Sequence, residues 1–138
     1  MADKISNELR SWNMGRIRSK GMKPERVVGS IVHGLGYRFR LHAKELPGKP
    51  DLVRRPNKQA IFVHGCFWHQ HSDPKCLDGR LPKSNRQYWV PKLAGNVARD
   101  ERAITVLKKS GWKVLVIWEC ETKNPVKLER KLLRFLEK

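Results

Sequence analysis

The three cysteines of the chain and a neighbouring group of histidines could together bind a metal ion. Residues 61–76 read IFVHGCFWHQHSDPKC, an apolar run followed by a segment whose glycine, serine and proline predict a loop. The candidate ligands are Cys66, His71, Cys76 and Cys120, of which the first three are spaced C-x4-H-x4-C. Thiolate sulfur and imidazole nitrogen hold zinc tetrahedrally, so this set could form a closed structural zinc site. His64 and His69 compete with His71 as the nitrogen ligand, and free buried thiols are the alternative interpretation.

A carboxylate and an imidazole lie at the ends of two predicted strands. Asp51 follows Pro50 and opens one strand, and His64 ends the next. Adjacent strand ends can bring such groups to one edge of a sheet, where a divalent cation could polarise a phosphoryl oxygen and activate water. A turn role for Asp51 and a backbone hydrogen bond for His64 are the non-catalytic alternatives. Glu25, in the first turn of a predicted helix, is explained by the helix dipole alone.

Aromatic residues flank the same loop. They are Phe67 and Trp68 within it and Tyr88 and Trp89 just beyond it. Core packing is the usual fate of such side chains. In a basic loop they could instead wedge between base steps, which kinks a duplex at weak points such as a mismatch.

The elements before the loop are a helix and a strand. Pro24 opens a helix with an apolar face, which Gly36 can end. Its predicted core residues are Val27, Val28, Ile31, Val32 and Leu35. The alternation of Tyr37, Phe39 and Leu41 with polar residues predicts a half-buried strand.

Two further strands follow. Turn residues at 46–50 and 56–58 flank a short strand at Leu52–Val53 and precede a more deeply buried one over Gln59–Val63. Together these strands predict a hairpin or meander.

The second half of the chain predicts a parallel crossover. Ser84 and Gln87 have capping-box spacing and start a helical turn that Pro91 ends or kinks. A longer helix then presents Leu93, Val97, Ile104 and Leu107 on one face. The apolar run over 112–118 predicts an interior strand, and Pro125 opens a last helix. Its inward residues are predicted to be Leu128, Leu132, Phe135 and Leu136.

Composition favours one domain that binds a polyanion. A chain of 138 residues, 39% of them hydrophobic, supports a single modest core. Its net charge of +17 favours nucleic acid, with a solvated basic surface as the alternative. No apolar run approaches the ~18 residues that cross a bilayer, and no signal-peptide core is present, so we expect an intracellular protein with no membrane partner. An odd cysteine count argues against a disulfide framework.

Residues 1–23 predict a basic N-terminal arm that contacts DNA, because they have no sustained apolar period and are rich in cations. Such an arm could bind a phosphate backbone through counterion release. The candidate backbone contacts are Arg10, Arg16, Arg18 and Lys20.

Several of these motifs, in this order, resemble the very short patch repair (Vsr) endonucleases. The similar segments are SWNMGRIRSKGMKPE, LPGKPDLV, IFVHGCFWHQH, YWVPKLAGNVARD and GWKVLVIWEC. The resemblance implies an α/β fold of the restriction-endonuclease type over residues 24–138, with a mixed β-sheet flanked by helices and a structural zinc site. It implies an activity that nicks double-stranded DNA 5′ of the T in a T:G mismatch arising from 5-methylcytosine deamination.

The resemblance also implies residue roles. Asp51 and the backbone carbonyl of Val63 would bind a catalytic magnesium ion. His69 would be the general base, while His64 would face the phosphate and Glu25 would act through metal-bound water. The zinc ligands would be Cys66, His71, Cys76 and Cys120. The residues that intercalate beside the mismatch would be Phe67, Trp68 and Trp89.

The chain departs from related patterns at a few positions. Phe62 and His64 replace the carboxylate and lysine of the wider nuclease superfamily, as in the repair enzymes. Val63 stands where threonine is expected, and Gln70 and Ser72 replace histidines. The expected partner is double-stranded DNA bound by a monomer in the bacterial cytoplasm, associated with the nucleoid when on DNA, and mismatch-repair proteins are further candidates. The rival functions are a zinc-stabilised DNA-binding module without catalysis and a restriction-type endonuclease that cuts paired DNA.

Overall fold

A four-stranded mixed sheet between helices positions the candidate site. The computed structural model describes residues 23–73, 76, 79 and 82–137, so the predicted DNA contacts at Arg10, Arg16, Arg18 and Lys20 lie outside the described residues. The helices are α1 (Pro24–Gly34), α2 (Arg86–Lys109) and α3 (Pro125–Leu136), and the strands are β1 (Arg40–Leu41), β2 (Leu52–Arg54), β3 (Gln59–His64) and β4 (Lys113–Trp118). Short 3₁₀ helices span Arg55–Asn57 and Glu119–Lys123. This α/β architecture agrees with the sequence prediction at the level of a mixed sheet flanked by helices.

The sheet order is β1-β2-β3-β4. The first three strands pair antiparallel as the predicted meander, and β3 pairs parallel with β4 after the α2 crossover. Strands β3 and β4 therefore both end at the same edge of the sheet, with His64 beside Trp118. Among the described residues, no helix combines the length and apolar character needed to span a bilayer.

The predicted interior position of β4 is wrong for the described part of the chain, where β4 is an edge strand paired only with β3. Both faces of the strand are nevertheless covered. Leu115 and Ile117 pack in the cluster with α1 and α3, whereas Val114 and Val116 pack against Leu107 of α2. Burial on two faces gives a continuous apolar run without requiring a strand on each side.

The first predicted strand is shorter than expected. Only Arg40 and Leu41 pair with β2, and the Leu41 side chain is 57% exposed although it was predicted to be half-buried. Tyr37 and Phe39 do pack against the core. The strand ends at His42, whose φ of 53° leaves the extended region.

The start of α2 also differs from the prediction. The proposed Ser84–Gln87 capping box does not form, because Asn85 occupies the N-cap with φ 52° and makes no side-chain cap. The helix continues through Pro91. Since Pro91 lies in the second turn, its missing N–H removes only the bond to the carbonyl four residues earlier.

Helix α1 ends as predicted. Gly36 takes φ 91°, and its N–H reaches the carbonyl of His33 while the N–H of Tyr37 reaches Val32, the paired bonds of a Schellman cap. The predicted core residues are buried. They are Val27, Val28, Ile31, Val32 and Leu35 of α1 and Leu128, Leu132, Phe135 and Leu136 of α3.

The turn before β2 is pressed against the rest of the fold. Gly48 has φ 73°, and a Cβ at this position would lie 2.7 Å from Cβ of Ala103 on α2 and 3.0 Å from the ring of Phe62 on β3. Only glycine satisfies both the backbone conformation and the close approach. This turn delivers Asp51 to the beginning of β2.

Candidate active site and metal centre

Asp51 is fixed at the site edge of the sheet by bonds from two residues of β3. Its N–H donates to the carbonyl of Ile61 at 3.0 Å. Its carboxylate Oδ2 accepts the N–H of Val63 at 2.7 Å. The predicted pair of magnesium ligands, Asp51 and Val63, is therefore adjacent, and a main-chain hydrogen bond orients the carboxylate.

The surroundings of Asp51 suit a bound cation. Burial is the main cause that raises the pKa of this carboxyl, and the Val63 amide opposes it. The negative charge of Glu25, from the first turn of α1, raises the pKa further, while His42 and His69 lower it. A partly buried carboxylate with an acidic neighbour is costly as an anion, and a divalent cation would offset that cost. His42, on the exposed side of this group, has no distinguishing signal in the sequence.

His64 and His69 stack face to face beside this carboxylate. Their ring centroids are 4.0 Å apart with an interplanar angle of 8°. His69 Nδ1 lies 2.5 Å from Oδ2 of Asp100 on α2. A carboxylate that accepts at Nδ1 leaves the lone pair on Nε2, which is the arrangement of an oriented general base.

The second imidazole is held neutral. The pKa of His64 is lowered to about 4, mainly by burial and further by the positive form of His69. The negative charge of Asp100 raises this pKa and so opposes both effects. The ligand atoms of His64, His69 and Asp100 lie within 4.8 Å of one another. Because the two rings are stacked, their in-plane lone pairs do not converge on one point, which disfavours a metal ion shared by both imidazoles.

Asp100 was missed by the sequence interpretation. It lies seven residues after Leu93 and seven before Leu107, so all three project from one side of α2. The two leucines are buried, and the Asp100 side chain is only 24% exposed. A carboxylate on the apolar stripe of a helix is the signal that could have identified it.

A second cluster, of sulfur and nitrogen atoms, lies on the other side of the loop. The ligand atoms of Cys66, His71, Cys76 and Cys120 lie within 4.8 Å of one another, and none of the three thiols is in a disulfide. His71 Nδ1 is 3.8 Å from Sγ of Cys66 and 3.4 Å from Sγ of Cys120. Zinc bonds of about 2.0 Å to nitrogen and 2.3 Å to sulfur separate tetrahedral ligands by about 3.5 Å, so the four residues fit this ion.

The structure also separates the three histidines that the spacing left as competitors. His71 joins the cysteines, whereas His64 and His69 belong to the Asp100 cluster. Burial raises the pKa of the Cys66 thiol to about 12 and raises that of Cys120. Without a cation these thiols stay protonated, and a bound metal would convert them to thiolates.

Trp118 separates the two clusters. Its ring stacks on His71 at 4.3 Å and 12°, and it meets His64 edge-on at 5.3 Å. The Trp118 N–H donates to Oε1 of Glu121 at 3.0 Å, which fixes the end of β4 where Cys120 follows. The sequence interpretation placed Trp118 in a strand and gave it no role at the site.

The three predicted intercalating residues form one cluster outside both cores. Phe67 lies 5.2 Å from Trp68 and 5.3 Å from Trp89, and the two tryptophans are 5.7 Å apart, measured between ring centroids. Trp68 is 48% exposed. Asn96 of α2 donates to the Trp68 carbonyl at 3.0 Å and Gln70 donates to that of Phe67 at 2.6 Å, so the loop backbone is anchored under the rings.

The chain is similar to known proteins over most of its length. The family model for DNA mismatch endonuclease Vsr matches residues 2–75, more than half of the chain. Type II nicking enzyme V.XorIIP of Xanthomonas oryzae is 47% identical over 137 residues, covering 99% of this chain and 98% of the relative. Type II nicking enzyme V.NmeAIP of Neisseria meningitidis is 41% identical over 136 residues, covering 99% and 95%.

DNA mismatch endonuclease Vsr of Escherichia coli is 38% identical over 128 residues, covering 93% of this chain and 80% of the relative. The extent of these matches goes beyond the site to nearly the whole chain. The chain therefore belongs to the DNA mismatch endonuclease Vsr family.

Proposed function

We propose that this chain is a magnesium-dependent endonuclease that nicks double-stranded DNA on the 5′ side of the T in a T:G mismatch. The observation that carries the proposal is an oriented imidazole, His69, that interacts electrostatically with the partly buried carboxylate of Asp51 and directly follows the exposed Trp68 of the aromatic cluster. Catalytic groups and a wedge on one loop are what cleavage next to an opened base step requires. The relatives are named as nicking enzymes and a mismatch endonuclease, and these names support the same activity.

Asp51 and the carbonyl of Val63 would hold the magnesium ion, with Glu25 nearby on α1. Bound there, Mg²⁺ would supply Lewis-acid polarisation of the phosphoryl oxygen and neutralise developing negative charge. The fit rests on a hydrogen-bonded, partly buried carboxylate with an acidic neighbour. Val63 requires only its backbone for this role, so the absence of a threonine hydroxyl is tolerated.

His69 would take the proton from the attacking water at Nε2. Asp100, at 2.5 Å from Nδ1, would hold the ring in place and stabilise its protonated form. His64 is neutral at pH 7 because its pKa is about 4, and it would donate a hydrogen bond to the phosphate.

Phe67, Trp68 and Trp89 would enter the duplex beside the mismatch. Cationic side chains of the arm at 1–23 would contact the phosphate backbone. They are Arg10, Arg16, Arg18 and Lys20. The +17 charge supports such binding, and it predicts affinity that falls with salt.

We also propose that zinc occupies the Cys66–His71–Cys76–Cys120 cluster as a structural ion and that residues 24–138 form a domain of the restriction-endonuclease type. The mixed sheet flanked by helices supports that fold. The protein would act as a monomer in the bacterial cytoplasm, on nucleoid DNA, and mismatch-repair proteins are candidate partners because they meet the same lesion.

The direct test compares two short duplexes that differ only in one pair, T:G or T:A, each with magnesium added or left out. We expect a single nick 5′ of the mismatched T, in magnesium only. Binding without a nick would favour a DNA-binding module without catalysis. Equal cleavage of the T:A duplex would favour a restriction-type nuclease.

Trp68→Ala is expected to weaken binding to the T:G duplex about ten- to hundredfold, since stacking on an unstacked base contributes ~1–3 kcal/mol per ring. Binding to the T:A duplex, which depends on phosphate contacts, should change little. The measurement is a pair of titrations at equal salt. Equal losses on both duplexes would contradict the wedge assignment.

Two controls accompany this variant. Tyr88→Ala removes a ring that is 56% exposed and lies beside Trp89 without belonging to the three-ring cluster, and we expect less than a threefold effect. The melting temperature of Trp68→Ala should match wild type, because Trp68 is 48% exposed. Loss of a core aromatic would instead cost about 3–5 kcal/mol.

A further inference from the structure

Four lysines lie at the end of the sheet opposite to the active site. Strands β3 and β4 both begin there, and the N–H of Lys113 donates to the carbonyl of Lys58 at 2.8 Å. The Lys58 ammonium lies 3.7 Å from where a Cβ on Gly111 would be, which brings it to the C-terminus of α2. We call the exposed side chains of Lys58, Lys108, Lys109 and Lys113 the lysine patch.

No carboxylate in the described part of the chain forms an ion pair with the lysine patch. Arg55 at the same end is already paired with Glu45. The negative end of the α2 dipole amounts to about half an elementary charge, so it offsets only a small part of four ammonium groups. The patch therefore keeps a strong positive charge that the fold itself does not use.

This charge lies too far from the active site to act electrostatically on phosphates bound there. Strands β3 and β4 are each six residues long, so about 17 Å separates Lys113 from Trp118 along the strand. At 0.1 M salt, charges interact over about 10 Å before screening becomes dominant. A polyanion must contact the patch itself to gain from it.

The composition of the patch favours nucleic acid as that polyanion. Protein interfaces are depleted in lysine and enriched in aromatic residues and arginine, whereas a lysine ammonium is a suitable point-charge partner for phosphate. The protein is already proposed to work on long duplex DNA, so neighbouring DNA segments are present at high local concentration.

We propose that the lysine patch binds a second segment of duplex DNA while the active site holds the first. The enzyme could then pass from one segment to another during its search without releasing both. This inference depends on the proposed DNA-binding function for one point, which is that the first DNA segment is bound at the active-site edge of the sheet.

The test uses a triple variant, Lys58→Gln with Lys109→Gln and Lys113→Gln. The matched control is Lys44→Gln with Lys123→Gln and Lys127→Gln, which removes the same number of positive charges at exposed positions outside the patch. A mismatched duplex is immobilised in buffer without magnesium and loaded with zinc-containing enzyme, and a fluorescent, fully paired duplex is then added. Wild type and control should capture the second duplex, and the patch variant should capture at least tenfold less.

The salt dependence of capture gives a second measure. Each lost phosphate contact lowers the log–log slope by about 0.9, so the patch variant should lose about three units. The proposal would be overturned if the patch variant captured as much of the second duplex as wild type does. It would also be overturned if both triple variants lost capture to the same extent. Capture of labelled polyglutamate without capture of duplex would overturn it too, in favour of an acidic protein partner.

Nicking of a short T:G duplex, measured in parallel, separates this inference from the proposed function. The patch variant should nick within twofold of wild type, because the lysines lie at the opposite end of the sheet. Absence of nicking by wild type would count against the proposed function, and the capture result would still decide the role of the patch.

Discussion

Replacing Asp51 with alanine is expected to reduce nicking by about 1,000-fold or more, equivalent to roughly 4 kcal/mol of transition-state stabilisation, while the T:G duplex is still bound. The carboxylate is the proposed anionic ligand of the catalytic ion, and its loss removes no contact proposed to bind DNA. His69→Ala should lose about 100-fold, the usual scale for a general base. Single-turnover nicking and equilibrium binding, measured on the same duplex, test the two expectations together.

Two variants control for structural damage. Asp51→Asn removes the charge but keeps an acceptor for the Val63 N–H, so it should be as inactive as alanine with an intact fold. Glu101→Ala removes an exposed carboxylate from α2 and should nick normally. Wild-type nicking by either Asp51 variant would exclude this residue from the metal site.

The pKa of Asp51 adds a test in protein that holds zinc but no magnesium. Because the folded-state pKa is raised, the wild-type carboxyl favours folding below its ordinary pKa of 3.8, and that contribution is lost as pH rises through the raised value. Asparagine has no titrating carboxyl, so the stability of the Asp51→Asn variant does not fall for this reason as pH rises. Its melting temperature relative to wild type should therefore increase from acid to neutral pH.

Removing zinc is expected to have the largest effect on stability. Structural zinc sites contribute about 10–16 kcal/mol of apparent binding free energy in small domains, which is comparable to the whole stability of a typical protein. Cys120→Ser should therefore melt far below wild type or fail to fold, and a strong chelator should do the same to wild type. Elemental analysis should find one zinc per chain in the purified protein.

Thr122→Ala is the matched control for Cys120→Ser. Thr122 lies in the same 3₁₀ helix, and its hydroxyl donates to the carbonyl of Glu119 at 2.6 Å, so its loss should cost only about 1 kcal/mol. Active, zinc-free protein, or normal melting of Cys120→Ser, would contradict a structural zinc ion.

The sequence predicted elements whose signals are local. The helix from Pro24 to its Gly36 cap and the crossover around α2 follow from apolar spacing and caps, and the structure confirms both. The position of β4 at the sheet edge was not predictable. A continuous apolar run indicates that both faces of a strand are buried, but it does not indicate how many strands pair with it.

The candidate site was predicted in part for the same reason. The residue types around the loop indicated a metal cluster, but spacing could not choose His71 over its neighbours, since loop geometry decides which imidazole turns toward the cysteines. Asp100 and Trp118 come from distant elements that meet the loop only in the folded chain. Their contributions depend on packing, which no local pattern encodes.

The loop that follows β3 has a consequence for how enzymes of this kind can diverge. Between His64 and His71, eight consecutive positions supply two imidazoles of the Asp100 cluster, two rings of the aromatic cluster and two candidate ligands of the sulfur cluster. Surface loops usually vary most in length and sequence among relatives. An insertion here would displace three kinds of group at once, so new preferences for flanking bases would have to evolve elsewhere on the surface.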